Sequence, residues 1–198
     1  MYKLYIWIII LFFSSCNLVQ PYYLSLNNTK QKKYALLPLD TITQSEKGIY
    51  SINSKDFLSE IEMDSANFKL VIFFTNWCPG SEEFLPPFLN SLKKSENKPR
   101  TFFISPNDWV YKYEYINYAK KINLNRPVYL LDVYKYGEKR NPHYRMHKFI
   151  SEICTGCEEV SGFPSLILFD RRNEVVYKHT GAVSFDTIAE VMKGTRNP

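Results

Sequence analysis

Cys78 is the residue of this sequence best placed to do chemistry, because it lies where a buried strand ends and a helix begins. Residues 70–74 form a continuous apolar run, and Pro79 and Gly80 follow the cysteine and open an amphipathic pattern. The unpaired N–H groups and the positive dipole end of such a helix start stabilise a thiolate, the nucleophilic form of cysteine. The alternative interpretation is a small apolar cysteine in a loop.

Two further cysteines, Cys154 and Cys157, have CxxC spacing and form the natural pair. We expect a local structural disulfide, with a second redox pair, a distant resolving thiol or a reduced or metal-linked pair as alternatives. His143 and His147 lie nearby in sequence, but His147 and Cys154 on one helix would be about 10 Å apart along its axis. Zinc ligands must lie within about 2.3 Å of the ion, so we predict no metal site.

The first residues of the chain indicate its compartment. Lys3 precedes the apolar residues 4–13, and a small-residue segment then ends on Cys16. Ten apolar residues are too few to span a bilayer, and the pattern resembles a bacterial lipoprotein signal, in which the cysteine carries the lipid. We therefore expect a signal peptide over residues 1–15 and a lipidated tether over residues 16–47. A plain signal peptide or an uncleaved anchor remains as an alternative.

This N-terminus implies an extracytoplasmic, periplasm-facing protein bound to the membrane by its lipid. Such a space is oxidising, which permits a Cys154–Cys157 disulfide and leaves Cys78 outside the pair. The 198-residue chain is 45% apolar, enough for one domain with a substantial core, which we place at residues 48–198. The net charge of +5 is spread without a long basic run, so we predict no nucleic-acid partner. We also expect no cofactor.

Hydrophobic periodicity predicts strands that alternate with helices. The expected strands cover residues 50–52, 70–75, 100–105, 128–132, 164–169 and 174–179, and the expected helices residues 54–63, 109–122, 142–153, one from Pro79 and one after Ser184. Pro86 and Pro87 should kink the helix that contains them. Alternating strands and helices, closed by a hairpin and a helix, predict an α/β sandwich around one mixed sheet.

Several of these segments together resemble the thioredoxin fold. They are WCPGS at residues 77–81, Pro86 in the following helix, GFPS at residues 162–165, the hairpin strand EVVYKHTGAV and the closing helix. The extra helix and strand over residues 109–132 resemble the insertion of membrane-tethered extracytoplasmic proteins of the TlpA/ResA type. The resemblance implies a thioredoxin-like α/β/α sandwich with a mixed central sheet and an α-β insertion after the third strand.

The resemblance also assigns roles. Cys78 would be the attacking cysteine, and Phe163–Pro164 a cis peptide whose loop lies against it and offers backbone groups to a substrate segment. Trp77, Pro79 and Phe163 would contact that substrate.

Three features depart from the family pattern. Ser81 replaces the second cysteine, Ile72 replaces a buried acid, and Glu82 and Glu83 crowd the first helical turn. Without a thiol at position 81, a mixed disulfide on Cys78 has no neighbouring thiol to resolve it. Ser81 could still donate a hydrogen bond to the thiolate.

The leading hypothesis is thiol–disulfide exchange of the isomerase or monothiol type through Cys78. Its partners would be client protein thiols or disulfides and an external thiol or redox donor. The alternatives are a non-catalytic adaptor and a peroxiredoxin-like peroxidase, for which Thr75 is in place but Val71 replaces the usual proline. The redox hypothesis requires the sulfur of Cys78 to face the Pro164 loop rather than pack inside the core.

Overall fold

The computed structural model describes residues 48–137 and 141–195 of the chain. The proposed signal peptide, Cys16 and the tether lie outside the described residues and remain predictions.

Six strands form one mixed sheet. They are β1 Ile49–Ile52, β2 Lys69–Phe73, β3 Arg100–Ser105, β4 Val128–Leu131, β5 Ser165–Phe169 and β6 Val175–Thr180. Their order across the sheet is β1-β4-β3-β2-β5-β6. The pairs β1/β4, β4/β3 and β3/β2 are parallel, whereas β2/β5 and β5/β6 are antiparallel. The sheet thus places β2, the strand that leads to Cys78, between β3 and the strand that follows Pro164.

Helices cover both faces of the sheet. They are α1 Ser54–Met63, α2 Pro79–Lys94, α3 Lys112–Lys121, α4 Val133–Tyr136, α5 Pro142–Ile153 and α6 Phe185–Thr195. Alternate residues of β2 face opposite layers: Leu70 and Ile72 pack beneath α2, α3 and α6, whereas Val71 and Phe73 pack beneath α1 and α5. All five residues of β2 are buried, as expected of a strand covered on both sides.

The predicted insertion lies inside the sheet. After β3 the chain forms a 3₁₀ turn at Trp109–Tyr111, then α3, and then β4. β4 pairs with β1 on one side, where Ile49 lies opposite Val128, and with β3 on the other, where Phe103 lies opposite the same Val128. The inserted strand therefore separates β1 from β3, and the expected α/β/α sandwich with an α-β insertion after the third strand is confirmed.

Some boundaries differ from the sequence-based expectations. β2 ends at Phe73 rather than residue 75, and the helix expected over residues 109–122 is divided into the 3₁₀ turn and α3. Asp132 was expected in β4, but its side chain instead accepts from the Tyr134 amide and caps the short helix α4. Helix α2 continues through Pro86 and Pro87 over its full length. Among the described residues, none of the helices is long and apolar enough to cross a bilayer.

Candidate functional site

Cys78 occupies the N-cap position of α2. Its carbonyl oxygen accepts hydrogen bonds from the amides of Ser81 at 3.0 Å and Glu82 at 3.1 Å, which start the helix, and Pro79 fills the first turn. Proline suits this position because its fixed φ is helical and the N–H that it lacks would have no partner within the helix. The structure therefore places the cysteine at the helix start, as the sequence predicted.

The loop before β5 meets Cys78 from across the chain. The Phe163–Pro164 peptide bond is cis, as the resemblance implied. The Sγ atom of Cys78 donates a hydrogen bond to the carbonyl oxygen of Phe163 at 3.3 Å. Gly80 allows this approach, because a Cβ atom at position 80 would lie 3.3 Å from the same oxygen and 3.5 Å from Cδ of Pro164.

Cys78 is more deeply buried than a sulfur that must meet a substrate should be. It is 0% exposed and belongs to the apolar cluster beneath α1 and α5. The sulfur thus faces the Pro164 loop, as the redox hypothesis required, but it also packs in the core, which the hypothesis excluded. The same Sγ–H group that donates to the Phe163 carbonyl oxygen is therefore enclosed by apolar side chains.

Ser81 lies in the position of the family's second cysteine. It is 0% exposed, and its Oγ accepts a hydrogen bond from the Thr75 amide at 3.3 Å, which ties the first turn of α2 to the end of β2. Ile72, which stands where the family has a buried acid, is also 0% exposed and packs beneath α2. Position 72 therefore has no carboxylate that could act as an acid or a base.

Trp77 connects the Cys78 loop to its surroundings. Its indole is half-buried and meets the Phe163 ring edge to face, with centroids 5.9 Å apart. Its Nε1 donates to Oδ1 of Asn107 at 3.4 Å. Pro79 is exposed, whereas Phe163 is only 8% exposed. Of the three residues predicted to contact substrate, only Pro79 and part of Trp77 are at the surface.

A polar network that the sequence did not predict lies beside Trp77. The hydroxyl of Tyr115, from α3, accepts from Nδ2 of Asn107 at 2.9 Å and makes a short hydrogen bond with Oγ of Ser105, at the end of β3. The Asn76 amide also donates to the Tyr115 hydroxyl, at 3.4 Å. Burial raises the pKa of Tyr115 well above its usual value, so the phenol stays protonated. Scattered polar residues give no periodic signal from which this network could be found.

The inserted helix α3 also reaches the first turn of α2. The hydroxyl of Tyr118 donates to the carbonyl oxygen of Ser81 at 3.4 Å. Burial, followed by the charges of Glu82 and Cys78, raises the pKa of Tyr118 to about 12. The insertion therefore supports the candidate site directly.

His143 packs on Phe163, the residue that precedes the cis-proline. It lies in the first turn of α5, and its ring is 4.9 Å from the Phe163 ring. Burial, and then the charge of His147, lowers the pKa of His143. His143 is thus half-buried against Phe163.

Cys154 and Cys157 are joined by a disulfide, with Cα atoms 5.6 Å apart. The pair follows α5, and Cys154 is the C-cap residue of that helix. Lys178 of β6 fixes the turn by donating to the Gly156 carbonyl and by an ion pair with Glu159 at 2.8 Å. Within residues 48–137 and 141–195, no three His, Cys, Asp or Glu side chains are placed to hold a metal ion.

Comparison with known proteins identifies the fold. No family model and no curated protein sequence matches the chain. Among solved structures, a thioredoxin-like superfamily protein superposes with a TM-score of 0.51 and 15% identity, over 71% of this chain and 85% of that one. A thiol-disulfide isomerase from Corynebacterium glutamicum superposes with a TM-score of 0.50 and 15% identity, over 71% of this chain and 86% of that one. The chain has the thioredoxin-like fold.

Proposed function

We propose that this protein carries out thiol–disulfide exchange through Cys78. One observation carries the proposal: the Cys78 sulfur, at the start of a helix, lies 3.3 Å from the carbonyl oxygen of Phe163, the residue before a cis-proline. A backbone group beside a reactive sulfur can pair with an extended client segment. The absence of a side chain at Gly80 leaves the backbone around this sulfur close enough for such pairing.

The reaction has two balanced steps. The Cys78 thiolate attacks one sulfur of a client disulfide, forms a mixed disulfide and releases the other client sulfur as a thiolate. A second thiolate, from the client or from an external thiol, then attacks the client sulfur of the mixed disulfide and releases Cys78. Isomerisation follows when the second thiolate belongs to the client. Reduction needs one more step after an external thiolate has released Cys78: a second external thiolate attacks the external sulfur of the new mixed disulfide, releases the client thiolate and forms an external disulfide.

The buried state of Cys78 sets a condition on this chemistry. At 0% exposure the sulfur cannot approach a client disulfide in line, so reaction requires local opening around the Phe163 carbonyl. His143 and Trp77 both pack on the Phe163 ring and are the side chains that such an opening would move. We expect the observed reactivity to reflect the population of the open state multiplied by its intrinsic rate.

The location is also part of the proposal. The lipoprotein-like pattern ending at Cys16 supports a protein tethered to the outer side of a bacterial membrane, where clients with disulfides occur. Clients would be protein thiols and disulfides close to that membrane.

The test is a comparison of Cys78→Ala with Cys154→Ser/Cys157→Ser in insulin reduction, in isomerisation of a scrambled disulfide protein and in trapping of clients. We expect Cys78→Ala to remove all three activities and the double variant to retain them. Unchanged activity in Cys78→Ala would refute the proposal. Loss of these activities only in the double variant would show that the Cys154–Cys157 pair carries out the chemistry.

A non-catalytic adaptor is the second candidate, and the burial of Cys78 favours it. The rate of Cys78 alkylation by iodoacetamide in the native protein, relative to the unfolded protein, separates the two functions. A sulfur that opens for chemistry should react within minutes to hours, whereas an adaptor cysteine should react only as fast as the protein unfolds globally.

A further inference from the structure

Arg145 is a buried cation whose donors lack partners. Its side chain lies in α5, one helical turn after the N-cap, and the residue is 5% exposed. Its Nε and Nη1 atoms are buried and have no hydrogen-bond partner among the described residues. These two atoms carry three N–H bonds, and a guanidinium remains charged in proteins. A buried charge with unused donors is costly, which indicates that the position is kept for a ligand.

The guanidinium faces the segment that follows β3. It interacts electrostatically with Asp108, Tyr111 and Tyr115, all of which belong to that segment or to α3. Asp108 is itself buried, and its Oδ1 accepts from the Val110 amide at 3.3 Å. These partners place Arg145 near the carboxyl end of the parallel strand β3, and ligands bind at the carboxyl ends of strands in open α/β sheets.

A series of interactions leads from Arg145 to the Cys78 site. Arg145 interacts electrostatically with Tyr115, whose hydroxyl accepts from Nδ2 of Asn107 at 2.9 Å. Oδ1 of Asn107 accepts from the indole of Trp77, which packs on the Phe163 ring. The carbonyl of Phe163 accepts from Cys78, so the polar network around Tyr115 lies between the cation and the sulfur.

We propose that Arg145 binds a carboxylate of the client segment, so that Cys78 acts preferentially on disulfides flanked by acidic residues. This inference rests on the proposed function, since it names the substrate class of the same site. A carboxylate can accept from the Nε–H and Nη1–H groups that have no other partner. Asp108 already balances part of the charge, which favours a single carboxylate over a dianion.

The same movement would expose both groups. Cys78 and Arg145 are both buried, and His143, on the same helix as Arg145, packs on Phe163, whose carbonyl oxygen accepts from Cys78. A carboxylate that gains hydrogen bonds only in the open state stabilises that state relative to the closed one. An acidic client would therefore open the site for its own reaction, and a neutral client would not.

The experiment uses pairs of heptapeptides that carry one cysteine as its 2-pyridyl disulfide and differ only by Asp or Asn at the two flanking positions. The wild-type chain should release pyridine-2-thione about tenfold faster from the Asp peptide, a difference of about 1.4 kcal/mol. Arg145→Gln should lower this ratio to about one, because the Asp peptide loses the hydrogen bonds that the Asn peptide never makes. Arg172→Gln, at an exposed turn position, is the matched control and should keep the wild-type ratio.

A ratio near one in the wild-type chain, or a wild-type ratio in Arg145→Gln, overturns the inference and leaves the proposed function intact. If Arg145→Gln does not fold, Arg145→Lys keeps the charge without the planar fork and should still lower the ratio several-fold. If Cys78 reacts with neither peptide, the proposed function fails, and calorimetric titration with the corresponding serine peptides then decides about Arg145. Tighter binding of the Asp form, lost in Arg145→Gln, supports the carboxylate site, and equal binding refutes it.

Discussion

The sulfur of Cys78 donates to the carbonyl oxygen of Phe163, 85 residues later in the chain. This one contact joins the start of α2 to the cis-proline loop, and so it reports the state of the whole candidate site. Its geometry depends on the absence of a side chain at Gly80 and on the aromatic rings that pack on Phe163.

The Gly80 position should control access to Cys78. In Gly80→Ala the new Cβ would lie 3.3 Å from the Phe163 oxygen and 3.8 Å from the Cys78 sulfur, so the loop must move by a few tenths of an ångström. We expect faster alkylation of Cys78 and a stability change within about 1 kcal/mol, because alanine also favours the helix. Gly194→Ala, which meets nothing within 4 Å, is the control. An unchanged alkylation rate in Gly80→Ala would show that the contact does not limit access.

The Cys154–Cys157 disulfide should contribute stability without contributing to catalysis. It closes a short loop after α5 and is buried at both cysteines. Chain-entropy arguments give about 2 kcal/mol for so small a loop. We expect Cys154→Ser/Cys157→Ser to lower the free energy of unfolding by about that amount in urea. Cys78→Ser serves as the comparison, and equal stability of the double variant and the wild type would contradict this role.

His143 should make the stability sensitive to mild acid. Because burial lowers its pKa in the folded state, the unfolded chain binds more protons below about pH 6.5. The free energy of unfolding should therefore fall as the pH drops from 6.5 towards the folded-state pKa. His143→Phe keeps a ring on Phe163 and should remove this part of the pH dependence in melts at pH 7.5 and 5.5. His179→Gln should behave like the wild type, and an identical slope in His143→Phe would refute the assignment.

Glu152 should contribute stability that acid removes. Burial alone would raise its pKa, but hydrogen bonds from Lys135 at 2.8 Å, from Ser54 and from Tyr136 at 3.0 Å lower it. The folded-state pKa is below the unfolded value of 4.5, so the contribution is present above pH 4.5 and is lost as the pH falls further.

Glu152→Gln should therefore cost about 1 kcal/mol at neutral pH, a modest figure because the carboxylate is partly screened by solvent. The difference from the wild type in urea denaturation should shrink below pH 4.5. Glu62→Gln, on an exposed position of α1, should change little at either pH. A difference that stays constant with pH would show that the charge of Glu152 is not the cause.

Local signals predicted most of the fold. β3 follows its expected bounds because the apolar residues Phe102, Phe103 and Ile104 stand between Pro99 and a polar turn. Helix α5 begins at Pro142 because Asn141 caps it. The expected strand over residues 128–132 wrongly included Asp132, which caps α4. A helix as short as α4 gives no periodic pattern from which its start could be predicted. The sequence also could not show that β4 separates β1 from β3, because strand order depends on contacts between distant segments.

Only the part of the candidate site that lies on the Cys78 segment could be predicted from the sequence. Residues at a strand end and helix start are adjacent in sequence, so Cys78 was found from its neighbours. The burial of Cys78 and the partners of Phe163 depend on His143 and on the network around Tyr115, which other elements supply. Arg145 gave no sequence signal, because one arginine on an amphipathic helix is usually solvated.

The position of β4 has a consequence for how the chain acquires its structure. Ile49 pairs with Val128, so the first strand of the domain finds its neighbour only after about 80 further residues exist. During synthesis that first strand must wait for β4, although β2 and β3 can already associate. In hydrogen-exchange pulse labelling, the amides of β1 should become protected later than those of β2 and β3. The strand that is made first is thus paired only after two later strands have found each other.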